Sequence, residues 1–408
     1  LFWFHWNQKK TLNLPIKPFF ADNLLVLSMR YSKSFCLFSL LFVLFITFAC
    51  RESTKLSESN KLEASGEILR IPIDSLTANI STGLVRYEDY LVNVNWNTNS
   101  LQFYDLSAEK LSREIFYQYE GPQGVGSIFG IYIHSLDSIF LFTQMVPVIT
   151  LTDTTGIIKN RIQYTKPEGH TNAFVHNAYF GSAPIFQNGK MLVKTHAEGN
   201  YRQMTEERLH KSLLAYGINL EDGTHQSTEL IYPKGYLNSG LKFFEPSLVF
   251  QPEYTVYSLF GDHRLYKQIR FGDLEIFDGK SQYLDESLPY FPVDGERFDT
   301  QKYLTASSRY ETLVYDEYRE VYYRFAYPTL TIEKEEELLA LRENPGPFVI
   351  QVFNKDLTLI TESYFEGGIY FPNNLFITEK GLYLSANNPE NPEAEEDAFR
   401  FELIKLVD

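Results

Sequence analysis

Apolar and polar residues alternate with a period of two along most of the chain beyond residue 66, and the stretch 90–106 carries the pattern at its clearest. Tyr90, Val92, Val94 and Trp96 alternate with Asn93 and Asn95, the spacing of a half-buried strand. Residues 97–100 supply a polar turn, after which Leu101 and Phe103 restart the alternation and Asp105 ends it. A single hairpin cannot bury its own apolar face, so such a unit has to stack on others.

Looser copies follow. Strand patterns recur at 138–142, 148–152 and 157–162, at 191–196 and 213–220, and at 254–260 and 274–277. They return at 311–316, 321–327 and 348–356, then at 375–378, 381–386 and 399–407. Asp105, Asp153, Asp222, Asp278 and Asn354 are predicted to mark the same late turn of successive units, at intervals of 48, 69, 56 and 76 residues. The two longest intervals each hold a helix-like insert, 206–214 after Thr205 and 333–342 after Thr331, with the threonine as N-cap. Without the inserts the period approaches the ~40–50 residues of a four-stranded propeller blade. The pattern therefore predicts an all-β fold over residues 67–408, a β-propeller of six four-stranded blades with short helical insertions. A stacked pair of β-sandwiches is the competing architecture. Residues 67–73 form a strand without a hairpin mate, and a ring gives it a role by pairing it into the unit that ends at Val407.

The N-terminal portion reads differently. Position 1 is Leu and the first Met is Met29, so residues 1–28 are read as translated upstream sequence. From Met29, Arg30 and Lys33 precede an apolar run over 35–48, and Ala49 precedes Cys50. That is the pattern of a secretory signal, too short in its apolar part for a membrane-spanning helix of ~20 residues. Residues 46–50, ITFAC, resemble a bacterial lipobox, although Phe48 stands where a smaller residue is commoner. The resemblance implies a signal peptide over 29–49, lipidation of Cys50 and a polar tether over 50–66. A plain cleaved signal with an incidental Cys is the alternative.

Cysteine and charge narrow the chemistry. Cys36 and Cys50 are the chain's two cysteines, so beyond Cys50 there is no disulfide, thiolate metal site or cysteine nucleophile. That portion keeps 32 basic against 51 acidic residues, a poor match to nucleic acid. No GxSxG, P-loop, HExxH, dinucleotide or EF-hand motif is present, and neither metal nor cofactor is expected.

Three constellations remain. His170, His176, His196, Arg202 and His210 crowd the third unit, with His176, His196 and Arg202 as candidate ligand-binding residues; loop histidines on an insert are the plainer reading. Asp316 and Glu317, beside Arg319 and Arg324, offer an acid and base, or a hairpin turn of solvated charges. The acidic run 393–397 lacks calcium-loop spacing and reads as an edge loop. Trp96 ends a strand beside a turn, where an exposed aromatic face can take a sugar or peptide.

The hairpin YDEYREVYYRF (315–325), the strand-turn-strand FVIQVFNKDLTLITESYF (348–365) and the closing segment 376–406 resemble uncharacterised six-bladed β-propeller lipoproteins of Bacteroidota. The resemblance implies a fold and an envelope location and brings no catalytic residues. Together these readings predict a lipid-anchored envelope protein, in the outer membrane, whose propeller binds a protein, peptide or glycan. A hydrolase or lyase acting on polysaccharide is the alternative.

Overall fold

The computed structural model describes residues 61–407, apart from Thr82 and Phe271. Their strands form six separate four-stranded antiparallel sheets, the blades of a propeller, which excludes the sandwich pair. Blade one contains Leu84–Tyr87, Tyr90–Asn95, Ser100–Asp105 and Lys110–Phe116. Blades two to five begin with Gly130–Ser135, Ile185–Gln187, Pro246–Phe250 and Arg309–Asp316. Blade six takes three strands from the C-terminal end, Phe371–Thr378, Gly381–Ser385 and Ala398–Val407. Its fourth and outermost strand is Lys61–Pro72, paired from Lys61 opposite Val407 to Pro72 opposite Ala398, with an irregularity between Ala64 and Ile68. The ring thus closes as the unpaired N-terminal strand predicts. Among the described residues the pairing runs from Lys61, so residues 61–66, assigned to the tether on composition, belong to the strand; backbone ladder bonds outweigh their polar side chains.

The core is divided among six seams, one between each pair of neighbouring blades. This corrects the expected half-buried strand. In Tyr90–Asn95, Val92 and Val94 pack towards blade two while Leu91 packs towards blade six. Asn93 and Asn95, the expected solvent face, are buried as well. Asn93 donates to Gln102 Oε1 at 2.9 Å, and Gln102 donates to Thr77 Oγ1 at 2.8 Å, so the polar row ties the preceding loop to the blade.

Within a meandering blade, the first and third turns emerge at one end of the ring. The link between second and third strands, and the crossing to the next blade, emerge at the other. Turns at the first end are short, with left-handed residues such as Glu88 (φ 51°) and Asn188 (φ 50°). Asp105, Asp153, Asp222 and Asn354 do mark the third turns, each accepting the amide two residues on at 2.8 to 3.0 Å. Asp278 makes the same local turn but follows the fourth strand of blade four, Leu274–Phe277. Local turn chemistry repeats where the topology does not.

All three described α-helices, and a short 3-10 turn at Tyr201–Gln203, lie at the second end. Helix α1, Glu206–His210, sits inside blade three, capped by Thr205 as expected. Helix α2, Arg297–Ala306, lies in the crossing from blade four to five and has no counterpart in the sequence reading. Helix α3, Glu335–Glu343, lies inside blade five and starts beyond Thr331, because the Glu337 carboxylate accepts the Glu333 and Lys334 amides. Among the described residues no helix is long and apolar enough to cross a membrane.

Candidate functional site

The long connections concentrate chemistry at one mouth of the ring. The crossing from blade two to blade three, residues 164–184, carries Phe174, His176, Tyr179 and Phe180. His176 is buried, and its Nδ1 accepts the Ala178 and Tyr179 amides at 3.3 and 3.1 Å, which places the imidazole proton on Nε2. Burial, reinforced by the Lys194 charge, lowers its pKa to about 4. Two exposed rings flank this imidazole: Trp96, 39% exposed, at 6.2 Å between centroids, and Tyr179, 37% exposed, at 5.7 Å. Burial raises the pKa of Tyr179, whose hydroxyl is also acted on by Glu311 of blade five and by Asn373 on the first strand of blade six.

Beneath this row lies an ionic cluster that links blades three and four. Lys194 ends the second strand of blade three and is fully buried. Its ammonium donates to Glu245 Oε1 and to the Phe180 carbonyl at 3.1 Å, between the Phe174 and Phe180 rings. His196 Nε2 lies 2.8 Å from the same Oε1, with its ring 4.4 Å from that of Phe174. Burial opposes ionisation of Glu245, but His196 and Lys194 prevail and hold its pKa near about 2. Burial lowers the Lys194 pKa against the pull of Glu245.

The structure therefore joins three of the four expected binding residues, Trp96, His176 and His196, through a continuous set of aromatic contacts. Arg202 stands apart. It stacks over Phe291 and donates to the Pro292, Val293 and Gly295 carbonyls and to Thr300 Oγ1, pinning α2 to blade three. His170 and His210 serve backbone groups, His170 accepting the Leu213 amide at 2.8 Å and His210 pairing with the Tyr232 carbonyl. Cys50 lies outside the described residues.

Sequence reading missed Lys194, Glu245, Tyr179 and Asn373, which are far apart in the chain and meet only through the ring. The Lys194 that closes the apolar run Met191 to Val193 is the one signal that could have found part of the set.

The other constellations resolve as framework. Asp316 does open a hairpin turn, but it is fully buried where solvated charge was expected: it accepts from the Tyr318 and Arg319 amides, the Arg319 guanidinium at 2.8 Å and Tyr323 Oη at 3.1 Å. Arg324 is also fully buried, stacked 3.3 Å from the Tyr310 ring centre. It donates to Ser258 Oγ and to the Asp262, His263, Arg264 and Gly279 carbonyls, stapling blade five to blade four. Glu393 and Glu395 pair with Arg400 and Arg70. No three metal-ligating side chains cluster among the described residues.

Fold and mouth together define a six-bladed propeller whose long loops gather polar and aromatic groups at one end. Residues 59–364 match the family described as a domain of unknown function, DUF4221, and the chain belongs to that family. A family member from Bacteroides vulgatus is 22% identical and superposes with a TM-score of 0.78, over 86% of this chain and 99% of its own. A candidate exported protein of Bacteroides fragilis is 9% identical, with a TM-score of 0.52 over 86% of this chain and 98% of its own. At such identities the likeness is one of fold, and it bears out the sequence resemblance to six-bladed Bacteroidota propellers. No curated protein matches this chain.

Proposed function

We propose that this chain is a lipid-anchored envelope protein that binds a protein, peptide or glycan at the long-loop mouth without transforming it. The observation that carries the reading is the pair of exposed rings, Trp96 and Tyr179, set around a buried imidazole on loops from different blades. Flat amphipathic rings held by a rigid scaffold gain contact area at small entropic cost, as in many recognition surfaces. Cys50 and the lipobox resemblance support the anchor.

The test is recovery of tagged full-length protein from native membranes in mild detergent, with bound material identified by mass spectrometry. A bound species that is lost in the Trp96→Ala, Tyr179→Ala double variant supports the reading. Turnover of a polysaccharide by the purified protein, abolished by Glu245→Gln with the fold intact, would overturn it. The ion-paired cluster of Lys194, Glu245 and His196 is the specific observation behind that second reading.

A further inference from the structure

We infer that the binding surface extends from Trp96 over blades one and two and seats a folded protein, one that presents an apolar patch bordered by lysine or arginine. The inference rests on the binding reading above and names the partner.

Six large side chains stand exposed on this sector of the long-loop end: Leu76, Trp96, Phe116, Tyr119, Met145 and Val146. Met145 is 86% exposed, Phe116 66% and Leu76 58%, all well beyond Trp96. The segments that carry them are joined one to the next. The Leu76 carbonyl accepts Nδ2 of Asn95 at 3.2 Å and of Asn97 at 3.1 Å, the residues on either side of Trp96. Tyr119 Oη donates to the Trp96 carbonyl at 3.3 Å, and the Tyr119 carbonyl accepts the Gly126 amide at 3.1 Å. A Cβ on Gly126 would lie 3.3 Å from Thr143 Cγ2. Thr143 Oγ1 in turn donates to the Val146 carbonyl at 3.1 Å, folding the link that carries Met145. Phe116 ends the outer strand of blade one opposite Ser100, at the same end of the ring.

Single exposed apolar residues are ordinary, but six on adjoining segments mark a surface that something covers. Aromatic residues and Met without charge among them are the composition of a protein interface at its centre. The aliphatic members decide against a glycan. A hydroxyl-rich chain laid over Leu76, Met145 and Val146 would give up hydration without replacing it. An extended peptide brings backbone amides and carbonyls with the same need, whereas a folded protein has paired its own and can meet the patch with side chains alone.

Charge narrows the partner further. The connections 73–83, 96–99, 117–129 and 143–147 contain Asp74 and Glu120 and neither Lys nor Arg. Both carboxylates are exposed, beside Leu76 and Tyr119. Arg161 reaches in from the outer strand of blade two, but its guanidinium serves the Pro122 and Gly124 carbonyls at 3.1 and 2.8 Å. An acidic border complements a basic one. It opposes a second copy of this chain and an anionic bilayer alike.

The experiment treats full-length protein, in mild detergent with whatever it carries from native membranes, with a water-soluble carbodiimide, which joins carboxylates to adjacent lysine amines without a spacer. Mass spectrometry then maps the joined residues. We expect a polypeptide linked through Asp74 or Glu120. The purified pair should bind about ten-fold more weakly when the full-length chain carries Leu76→Ser with Met145→Ser. Thermal unfolding of that variant should be unchanged, since both side chains are exposed. Loss of the bound species in the Trp96→Ala, Tyr179→Ala variant but not in Leu76→Ser, Met145→Ser would overturn the docking surface and leave the binding mouth standing. A bound glycan, short peptide, lipid or second copy, or a protein linked only elsewhere on the ring, would overturn the inference as well. Recovery of the chain with nothing bound would remove both readings.

Discussion

Arg324 shows how this protein uses a charge as mortar. Its guanidinium spends all of its bonding on neutral oxygens of another blade and lies against Tyr310, so burial lowers its pKa to about 10 without neutralising it at physiological pH. Arg324→Met keeps much of the volume but leaves several carbonyls buried without donors. A loss of about 3 kcal/mol in urea unfolding is expected. The Lys194 and Glu245 pair behaves differently, because each partner is the other's neutraliser. Glu245→Gln alone leaves a buried ammonium and is expected to cost about 3–5 kcal/mol, whereas Lys194→Met with Glu245→Gln should recover most of it; a double-mutant cycle measures the difference. His176 supplies a pH signature. Its folded pKa is about 4 against 6.5 unfolded, so the unfolded chain binds more protons between those values and stability falls as pH drops from 6.5 towards 4. Thermal unfolding across that range should show a slope that His176→Asn diminishes.

At the scale of elements, Lys61–Pro72 has the largest single role, since it alone covers the outer edge of Ala398–Val407. Deleting it exposes an edge strand to other chains. The expected result is soluble oligomers or aggregate by size-exclusion chromatography with light scattering, where the complete chain elutes as one defined species. This strand was legible in the sequence because an alternating segment without a hairpin mate can be satisfied only by a distant partner. The blade repeat was legible for a related reason: the third-turn Asx residues bond their own backbone, a local act that leaves a local mark. First strands such as Ile185–Gln187 and Pro246–Phe250 left none, being short or packed on both sides. Helix α2 stayed hidden since its burial falls on Tyr303 and Ala306, too few positions for a helical stripe. The mouth was readable only in part. Trp96, His176 and His196 stand out by residue type, but Glu311 and Asn373, which neighbour Tyr179, come from blades five and six, a relation that exists only once the ring has closed.

For the whole molecule, ring closure also fixes the end of the ring at which the first described strand begins. The first described residue, Lys61, pairs with Val407 at the end of blade six where the turns are short, opposite the long-loop mouth. Cys50→Ala should move the protein from the membrane to the soluble fraction while leaving thermal unfolding of the propeller unchanged. Retention in membranes washed with high salt would remove the lipid from this picture.

The same geometry decides how the ring bears load. Tension applied to the chain ahead of Lys61 would draw Lys61–Pro72 along its neighbour Ala398–Val407. The ladder between them is then strained in shear, with its bonds sharing the tension instead of parting one after another as in a peeled hairpin. In this arrangement the segment that closes the ring is a clasp set in the orientation in which a clasp of hydrogen bonds is hardest to open.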